Sequence, residues 1–599
     1  MLSVLALASW LTAIAPITTY AKVYRNPILP GFHPDPSCTF VPEWNDTFFC
    51  ATSSFNAAPG IPIFASKDLQ NFKQIGNVLT RDFQLPGLAT TNGSTSGIWA
   101  PTIRYHDDTF FLVTTLVYDN RTANDTSRWF NTIFNTVNPY DSSLWSDAVY
   151  FEFEGYDTSP FWDEQGNAYI VGSHAWKIYE AILGFQIELN TGARLSPMYD
   201  LWNGTDPGQT DGIAPEAPHL FQRPDGYYLS IAQGGTGLGH MVNFARSPTL
   251  FGQYYEGDPH NPVLSNANTT DYFQTVGHAD FFQDARGNWW AVALATRSGP
   301  EYKYYPMGRE TTLTPAQWLN GSFPTAKNVS LYEDGTLPPV DLSVPGDGYW
   351  VASPIEALTF PAGSSLPNHF IHQRWPDPSA YITGASILGH KNALALIPSV
   401  LNLTGHDAAT APTPQTFVGR RQEHIEFVFS VAMSFASAVD GAEAGITIFV
   451  NQARHFDLGV VSLSPSSAAA AGYTGTPVNT TSTSRYIRLR TITANSTNAG
   501  ASDPYSHPAI LPLPPSANLS DPIRLEVTAV NYTTYKFSYA SGTTPIATSW
   551  TTVGWSNSSQ VSGGYMGTIA GVFATGNGAN VTTPAYFWDW SYIANDLVW

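Results

Sequence analysis

One alternation of polar and apolar positions recurs along the first half of the chain. A turn rich in Asp, Gly or Asn is followed by an aromatic-led apolar run. It stands as Asn45-Asp46-Thr47-Phe48-Phe49, Asp107-Asp108-Thr109-Phe110-Phe111, Gln165-Gly166-Asn167-Ala168-Tyr169, Pro224-Asp225-Gly226-Tyr227-Tyr228 and Arg286-Gly287-Asn288-Trp289-Trp290. The markers Phe48, Phe110, Tyr169, Tyr227 and Trp289 are separated by 62, 59, 58 and 62 positions. A strand–turn–strand unit at near-constant spacing means an array or a propeller. The unit has the length of a four-stranded blade with long loops, so the pattern predicts a five-bladed β-propeller. No long amphipathic helix competes with it. From residue 367 the texture changes to short period-2 runs, as in His424-Ile425-Glu426-Phe427-Val428-Phe429, Gly445-Ile446-Thr447-Ile448-Phe449-Val450, Tyr486-Ile487-Arg488-Leu489-Arg490 and Ile523-Arg524-Leu525-Glu526-Val527. Such runs with frequent turns predict a β-sandwich. The expected organisation is all-β: a propeller over 22–331, a Pro/Gly/Ser-rich linker over 332–366 and a sandwich over 367–599. The small polar stretches 467–483 and 494–506 are expected to be loops.

The repeat also assigns positions. Stepping back 11 to 13 residues from each marker lands on Asp35, Trp99, Asp157, Glu216 and His278. Equivalent positions on the inner strands of a propeller point at one mouth of its axis, so three carboxylates, a Trp and a His should converge there. Convergent acids with an aromatic are the mark of a ligand site; a wet channel lined by polar residues is the alternative. Asp35 stands in His33-Pro34-Asp35-Pro36, between two rings that restrict the backbone on both sides. That rigidity suits an acid held in one direction, or a turn-capping Asp.

Composition narrows the ligand. Aromatics make up 14% of the chain, charged residues only 12%, and the net charge is −20. Disorder is excluded, and nucleic acid or an anionic membrane is a poor partner. A neutral ligand with faces on which Trp and Tyr stack, such as a sugar, fits better. The apolar run 2–14 followed by Thr19-Tyr20-Ala21 predicts a secretory signal over 1–21; the run is short for a membrane anchor. About fifteen Asn-X-Ser/Thr sequons, among them Asn45, Asn92, Asn203, Asn328 and Asn531, fit a secreted, extracellular glycoprotein. Cys38 and Cys50 flank a hairpin turn at 43–46, which predicts a disulfide in an oxidising compartment over two buried thiols.

Paired carboxylates break glycosidic bonds, one protonated and giving its proton to the leaving oxygen, the other ionised. Glu216 lies in Ala214-Pro215-Glu216-Ala217-Pro218-His219-Leu220, whose apolar character favours the neutral acid. Asp35 is then the candidate base. Asp157, in Gly155-Tyr156-Asp157-Thr158-Ser159-Pro160, is a third carboxylate that would raise and orient Glu216.

Asn26 to Ser37, Ser66-Lys67-Asp68-Leu69, Gly97-Ile98-Trp99-Ala100-Pro101, Pro215-Glu216-Ala217-Pro218-His219, Gly277-His278-Ala279-Asp280 and Met307-Gly308-Arg309-Glu310-Thr311 fall in this order. Together they resemble glycoside hydrolase family 43, of the β-xylosidase and α-L-arabinofuranosidase type with an appended sandwich. Phe417-Val418-Gly419-Arg420-Arg421-Gln422 and Glu443-Ala444-Gly445-Ile446-Thr447 resemble that family's C-terminal module. The resemblance implies an inverting hydrolase of plant hemicellulose. Asp35 would be general base, Glu216 general acid and Asp157 modulator of the acid's pKa. It implies that Arg309 contacts a sugar hydroxyl, a surface ion pair being the plainer reading. Trp99 and Phe55 would wall the sugar subsite, or else be blade core. It places His278 over the axis, where a water or a structural calcium ion would sit; the plainer reading is a satisfied core His. No other cofactor is implied. In one place the chain departs from the family pattern: Phe55 is followed by Asn56-Ala57-Ala58-Pro59, where the family's xylosidases carry a bulky Glu-Trp pair. A smaller rim should widen the mouth, and this favours arabinofuranose removal from arabinoxylan over xylose removal from xylooligosaccharides. A retaining fructosidase lacks its Asn-Asp-Pro-Asn strand here. A non-catalytic sugar-binding propeller is the remaining alternative.

Overall fold

The computed structural model describes residues 22–599 apart from 92, 94, 123, 176–177, 205–213, 256–260, 406–413, 477–478, 494–509, 514–521, 543–548 and 596–599. The expected signal segment 1–21 and the expected loop 494–506 lie outside the described residues.

Each polar turn of the repeat closes a hairpin, and its aromatic-led run is the second strand of an antiparallel sheet. The five second strands are Thr47–Ala51, Thr109–Val117, Ala168–His174, Gly226–Gln233 and Trp289–Arg297. Their inner partners are Ser37–Val41, Gly97–His106, Gly155–Trp162, Glu216–Arg223 and Phe273–Gln283. Five sheets therefore follow one another in chain order, each with three to five strands on its main path or paired to it.

Two sets of contacts tie each sheet to the next. Apolar side chains fill the gaps between neighbours. Ile63 and Ala65 meet Ile103 and Phe134, Val113 and Ile133 meet Ile170 and Phe185, and Val171 and Ile182 meet Leu229 and Ile231. Val242 and Phe244 meet Ala291 and Ala293, and Val292 and Trp290 meet Phe48 and Phe64, which returns the fifth sheet to the first. Hydrogen bonds near the inner strands make the same circuit. Phe55 and Ile98 exchange backbone bonds of 3.0 Å, Asn131 Nδ2 donates to the Gly155 carbonyl at 3.2 Å, and the Ala217 N–H donates to Asp157 at 3.1 Å. The His240 ring meets the Thr275 carbonyl at 3.1 Å, and the Ser37 hydroxyl donates to Asp280 at 2.7 Å. The start of the chain is sewn to the last of the five sheets by Asn26, whose side-chain amide donates to and accepts from the backbone of Leu313, both at 2.8 Å.

The second half is a sandwich of two sheets, built on the period-2 pattern. Phe427, Phe429, Val431 and Met433 of Phe427–Phe435 point inward against Ile446, Ile448 and Val450 of Glu443–Asn451. The strand expected at 424 begins at Phe427; the His424 ring is instead buried beside the Tyr592 hydroxyl at 3.3 Å. The stretch expected as loop from 467 holds the one α-helix among the described residues, Pro465–Ala470, with Ser464 capping the Ser467 N–H at 3.2 Å. Ser-Pro is a cap followed by a preferred first helical residue, a signal the composition of the stretch masked. The segment 332–366, expected as a linker, is strand-paired in three places. Tyr332–Gly335 pairs with Lys22–Arg25, Tyr349–Trp350 extends the first sheet, and Ile355–Leu358 pairs with the last strand of the sandwich. No helix among the described residues is long and apolar enough to cross a membrane.

Cys38 and Cys50 are directly opposed across the first hairpin and form a disulfide, both fully buried against Phe48 and Phe64. A bridge closing so short a loop removes about 2–3 kcal/mol of denatured-state entropy. The Cys38→Ala/Cys50→Ala variant is therefore expected to lose about that much stability in denaturant unfolding under non-reducing conditions; an unchanged midpoint would show that the bridge contributes nothing.

Candidate active site

The inner strands do not run straight. In four of the sheets the pairing register slips near the strand entry, between Trp99 and Thr102, Tyr156 and Ser159, Glu216 and His219, and twice between Gln274 and Asp280. At each slip, and at the equivalent point before the first sheet, one non-glycine residue sits in the left-handed region. These are Asp35 (φ 54°), Ala100 (40°), Asp157 (52°), Ala217 (53°) and, at the two slips of the fifth sheet, Thr275 (59°) and His278 (46°). A bulge of this kind bends the strand and re-aims side chains. In two sheets the left-handed residue is an alanine, and the side chain that reaches inward belongs to the residue before it, Trp99 or Glu216. The register read from the sequence thus returns with a one-residue offset at two of five positions.

All seven residues expected at the site, Asp35, Phe55, Trp99, Asp157, Glu216, His278 and Arg309, line one pocket of about 260 Å³. Asp35 is 5% exposed and fully engaged. The Ser53 hydroxyl donates to its Oδ2 at 2.5 Å, and that hydroxyl oxygen accepts the Ala100 N–H at 2.7 Å. Arg309 donates from Nη1 to Oδ1 at 3.0 Å and from Nη2 to Oδ2 at 3.4 Å, and His278 Nδ1 stands 3.7 Å away. Burial pushes the carboxyl up, but Arg309, His278 and the Ser53 bond outweigh it and hold Asp35 below the usual range. Asp157 goes the other way. Burial, then the charges of Glu216 and Asp35, push it well above the usual range, against the Ala217 N–H on Oδ2 and the charge of Arg309. Glu216 is the most open of the three, its side chain 17% exposed, with Oε1 3.2 Å from His240 Nε2. Burial keeps the His278 ring below its ordinary pKa even though Asp35 and Glu216 oppose the shift. One pocket therefore holds an ionised, fixed carboxylate, a proton-holding carboxyl and a third acid facing the open space. An arrangement of this kind can take a proton from water on one side and give one on the other.

Arg309 is not a surface pair. Its ion pair with Asp35 is buried, and Nη1 also donates to Thr236 Oγ1 at 3.1 Å. Phe55 and Trp99 pack at 6.2 Å between ring centroids, and Trp99 Nε1 is held by the Thr95 carbonyl at 2.7 Å.

The residues present fit an axial metal ion poorly. Asp280 is clamped by Arg104, with Nη1 and Nη2 at 2.7 and 2.9 Å, and the same guanidinium meets His219 Nδ1 at 3.2 Å. Burial holds His219 down to about 4. Among the described residues no group of three or more His, Cys, Asp or Glu side chains is placed to hold a metal ion.

The rim differs from expectation. Asn56, Ala57 and Ala58 do not line the pocket. Ala57–Ala58 is buried beneath His372–Gln373, and Asn56 is bonded to Thr91 and Gly93. Their small size is filled by the segment leading into the sandwich, so it does not widen the mouth. What shapes the mouth is Tyr565, from the sandwich. Its ring stacks on Phe55 at 6.0 Å and lies 4.9 Å from the Arg309 guanidinium. The backbones carrying these residues touch: a Cβ on Gly308 would meet the Met566 carbonyl oxygen at 2.4 Å, and one on Gly567 the Met307 oxygen at 2.1 Å. Sequence reasoning missed Tyr565, Thr236, His240 and Tyr156. Tyr156 adjoins Asp157 in the bulge and was within reach of the repeat. Tyr565 lies outside the repeat, and no register extends to it.

The family model for "Glycosyl hydrolases family 43" matches residues 24–323, and that for "Beta xylosidase C-terminal Concanavalin A-like domain" matches residues 363–593. A non-reducing end alpha-L-arabinofuranosidase of Bacteroides ovatus is 30% identical over 96% of both chains. A xylosidase/arabinosidase of Butyrivibrio fibrisolvens is 33% identical over 73% of this chain and 80% of its own. The solved GH43 protein BlXynB of Bacillus licheniformis superposes with a TM-score of 0.75 at 26% identity, covering 96% of this chain and all of that one.

Two outcomes follow from the site's electrostatics and walls. Arg309 is the largest charge opposing the burial of Asp35, so Arg309→Gln raises the pKa of Asp35. The acid limb of kcat/KM should move to higher pH by at least about one unit; a limb that stays in place would mean that Asp35 does not set it. Tyr565→Ala removes a ring stacked on Phe55 and Arg309 and should lower kcat/KM about 5- to 20-fold with unchanged thermal unfolding. Wild-type kinetics would show that the sandwich leaves the pocket alone.

Proposed function

The chain belongs to glycosyl hydrolase family 43, and we propose that it is an exo-acting, inverting enzyme that releases α-L-arabinofuranose from arabinoxylan. The observation that carries this reading is the convergence of Asp35, Asp157 and Glu216, with opposite electrostatic environments, on one small pocket. In this reading ionised Asp35 takes a proton from water as the water oxygen attacks the anomeric carbon. Glu216 gives its proton to the glycosidic oxygen as that bond breaks, and the sugar leaves with inverted configuration. Asp157, whose Oδ2 takes the Ala217 N–H at 3.1 Å, fixes the backbone next to Glu216 and so orients the acid. Arg309 orients Asp35 and reaches a sugar hydroxyl, while Trp99, Phe55 and Tyr565 supply the faces on which the ring lies. The chemistry uses only carboxyl groups and water, so no added cofactor is needed.

Exo action is supported by the pocket's size and by the ring of Tyr565 at its mouth, which suit a terminal sugar. The arabinose assignment is supported by the relative matched over 96% of both chains, itself named for that activity. Xylose release is the second reading, favoured by the relative whose name carries both activities. We read the closed circuit of five sheets as five blades, with the propeller over 22–331, the linker over 332–366 and the sandwich over 367–599. The segment 1–21 and the sequons support export as a glycoprotein.

The 4-nitrophenyl α-L-arabinofuranoside and β-D-xyloside pair discriminates the two sugars, with faster turnover expected on the first. Proton NMR of the first-formed sugar should show inverted configuration, and retention would reject the roles given to Asp35 and Glu216. Asp35→Ala and Glu216→Ala are each expected to lose at least about 10³-fold in kcat.

A further inference from the structure

His240 is fully buried, and its two ring nitrogens face different chemistries. Nδ1 lies 3.1 Å from the carbonyl oxygen of Thr275, and Nε2 lies 3.2 Å from Glu216 Oε1. A carbonyl oxygen only accepts, so Nδ1 carries a hydrogen. Nε2 is then a bare lone pair in the neutral ring or a second N–H in the cation. Among the described residues Nε2 makes no hydrogen bond of good geometry, and its charged contact is Glu216 Oε1. A lone pair against a carboxylate is repulsive. The contact is attractive only with one proton between the two groups, on Glu216 as a carboxylic acid or on His240 as an imidazolium.

The ring is held so that this contact cannot drift. Its backbone N–H is bonded to the Gly237 carbonyl at 3.0 Å, and its own carbonyl takes the Ser265 hydroxyl at 2.9 Å. The opposite face is shut by Gly277, where a Cβ would meet three ring atoms at 2.4–2.5 Å. Only glycine lets the His278 strand pass this close. The other titratable groups facing the pair are Asp35, Asp157, His278 and Arg309, with the hydroxyls of Tyr156 and Tyr565.

We propose that His240 is a positioning residue that keeps the catalytic proton on the acid: Glu216 and His240 together hold one proton, aimed along Oε1–Nε2 in the free enzyme. This rests on the reading of Glu216 as general acid. When substrate is bound, the O–H turns from Nε2 to the glycosidic oxygen, and the proton leaves with that oxygen as the bond to the anomeric carbon breaks. A carboxylate and a neutral imidazole remain, and one proton from solvent restores the pair.

The test compares two aryl glycosides of the pentose that the enzyme releases, one with a 2,4-dinitrophenyl leaving group, which departs without protonation, and one with a phenyl leaving group, which does not. Wild type, His240→Asn and Glu216→Gln are measured across pH. His240→Asn is expected to lower kcat/KM about 30-fold on the phenyl glycoside and less than threefold on the dinitrophenyl one. Equal losses on both substrates, or no loss, would each overturn the proposal. Glu216→Gln is the reference. If it too lacks leaving-group dependence, the acid assignment itself fails. If it shows that dependence and His240→Asn does not, only the role of His240 fails. Should His240→Asn not fold, His240→Gln carries the same comparison.

Discussion

Five strand entries are held in a backbone conformation that their residues disfavour, and the site exists because they are held there. A non-glycine residue in the left-handed region costs about 1–3 kcal/mol. Asp35, Ala100, Asp157, Ala217 and His278 all accept it. The bonds that fix them are the bonds that build the pocket. Ser53 joins Asp35 to the Ala100 N–H, and Asp157 takes the Ala217 N–H, so one kink restrains the next. A straight inner strand would send alternate side chains into the sheet-to-sheet cores. The kink sends one of them inward, and it does so at the same height in each sheet. Strain and function are the same local event here, which is why the acids are fixed before substrate arrives.

Electrostatics then divides the work. Among the described residues that line the one small pocket, three carboxyls meet a single guanidinium. Arg309 takes Asp35 in a two-point contact, so the charge goes there, and the cost of crowding falls on Asp157. A lysine in that position would offer a point charge and no fork, and would leave the orientation of Asp35 to Ser53 alone. The same economy operates on the axis, where Arg104 satisfies Asp280, Ser37 and His219 together.

What the sequence made legible follows from what repeats. The turn-plus-aromatic unit recurs because each sheet must form the same hairpin, so the five second strands, and with them the heights of Asp35, Asp157 and His278, were readable from spacing alone. Trp99 and Glu216 were found by the same step, although each stands one residue ahead of its kink; a bulge absorbs one residue and spacing cannot see on which side. The alternation of Phe427, Phe429, Val431 and Met433 was equally plain, since one face of that strand is the sandwich core. The rim was not legible. Asn56-Ala57-Ala58-Pro59 reads as empty space, and only the fold shows that residues 372–373 fill it. Nor was Tyr565, whose approach depends on a backbone contact between chain segments more than 250 positions apart.

That contact settles how far the sandwich is a separate body. Gly308 and Gly567 meet backbone to backbone, the Thr568 N–H bonds to the Pro306 carbonyl at 2.8 Å, and Arg421 donates to the Phe32 carbonyl at 2.8 Å. These three points lie within three residues of Asp35 and Arg309, just ahead of each. The loop bearing Tyr565 is therefore docked on the strand entry that orients the base. Moving the sandwich by the width of one methyl group at Gly308 would shift the guanidinium as well as the wall. Here the interface runs through the pocket, and the second domain belongs to the site on the same terms as the inner strands.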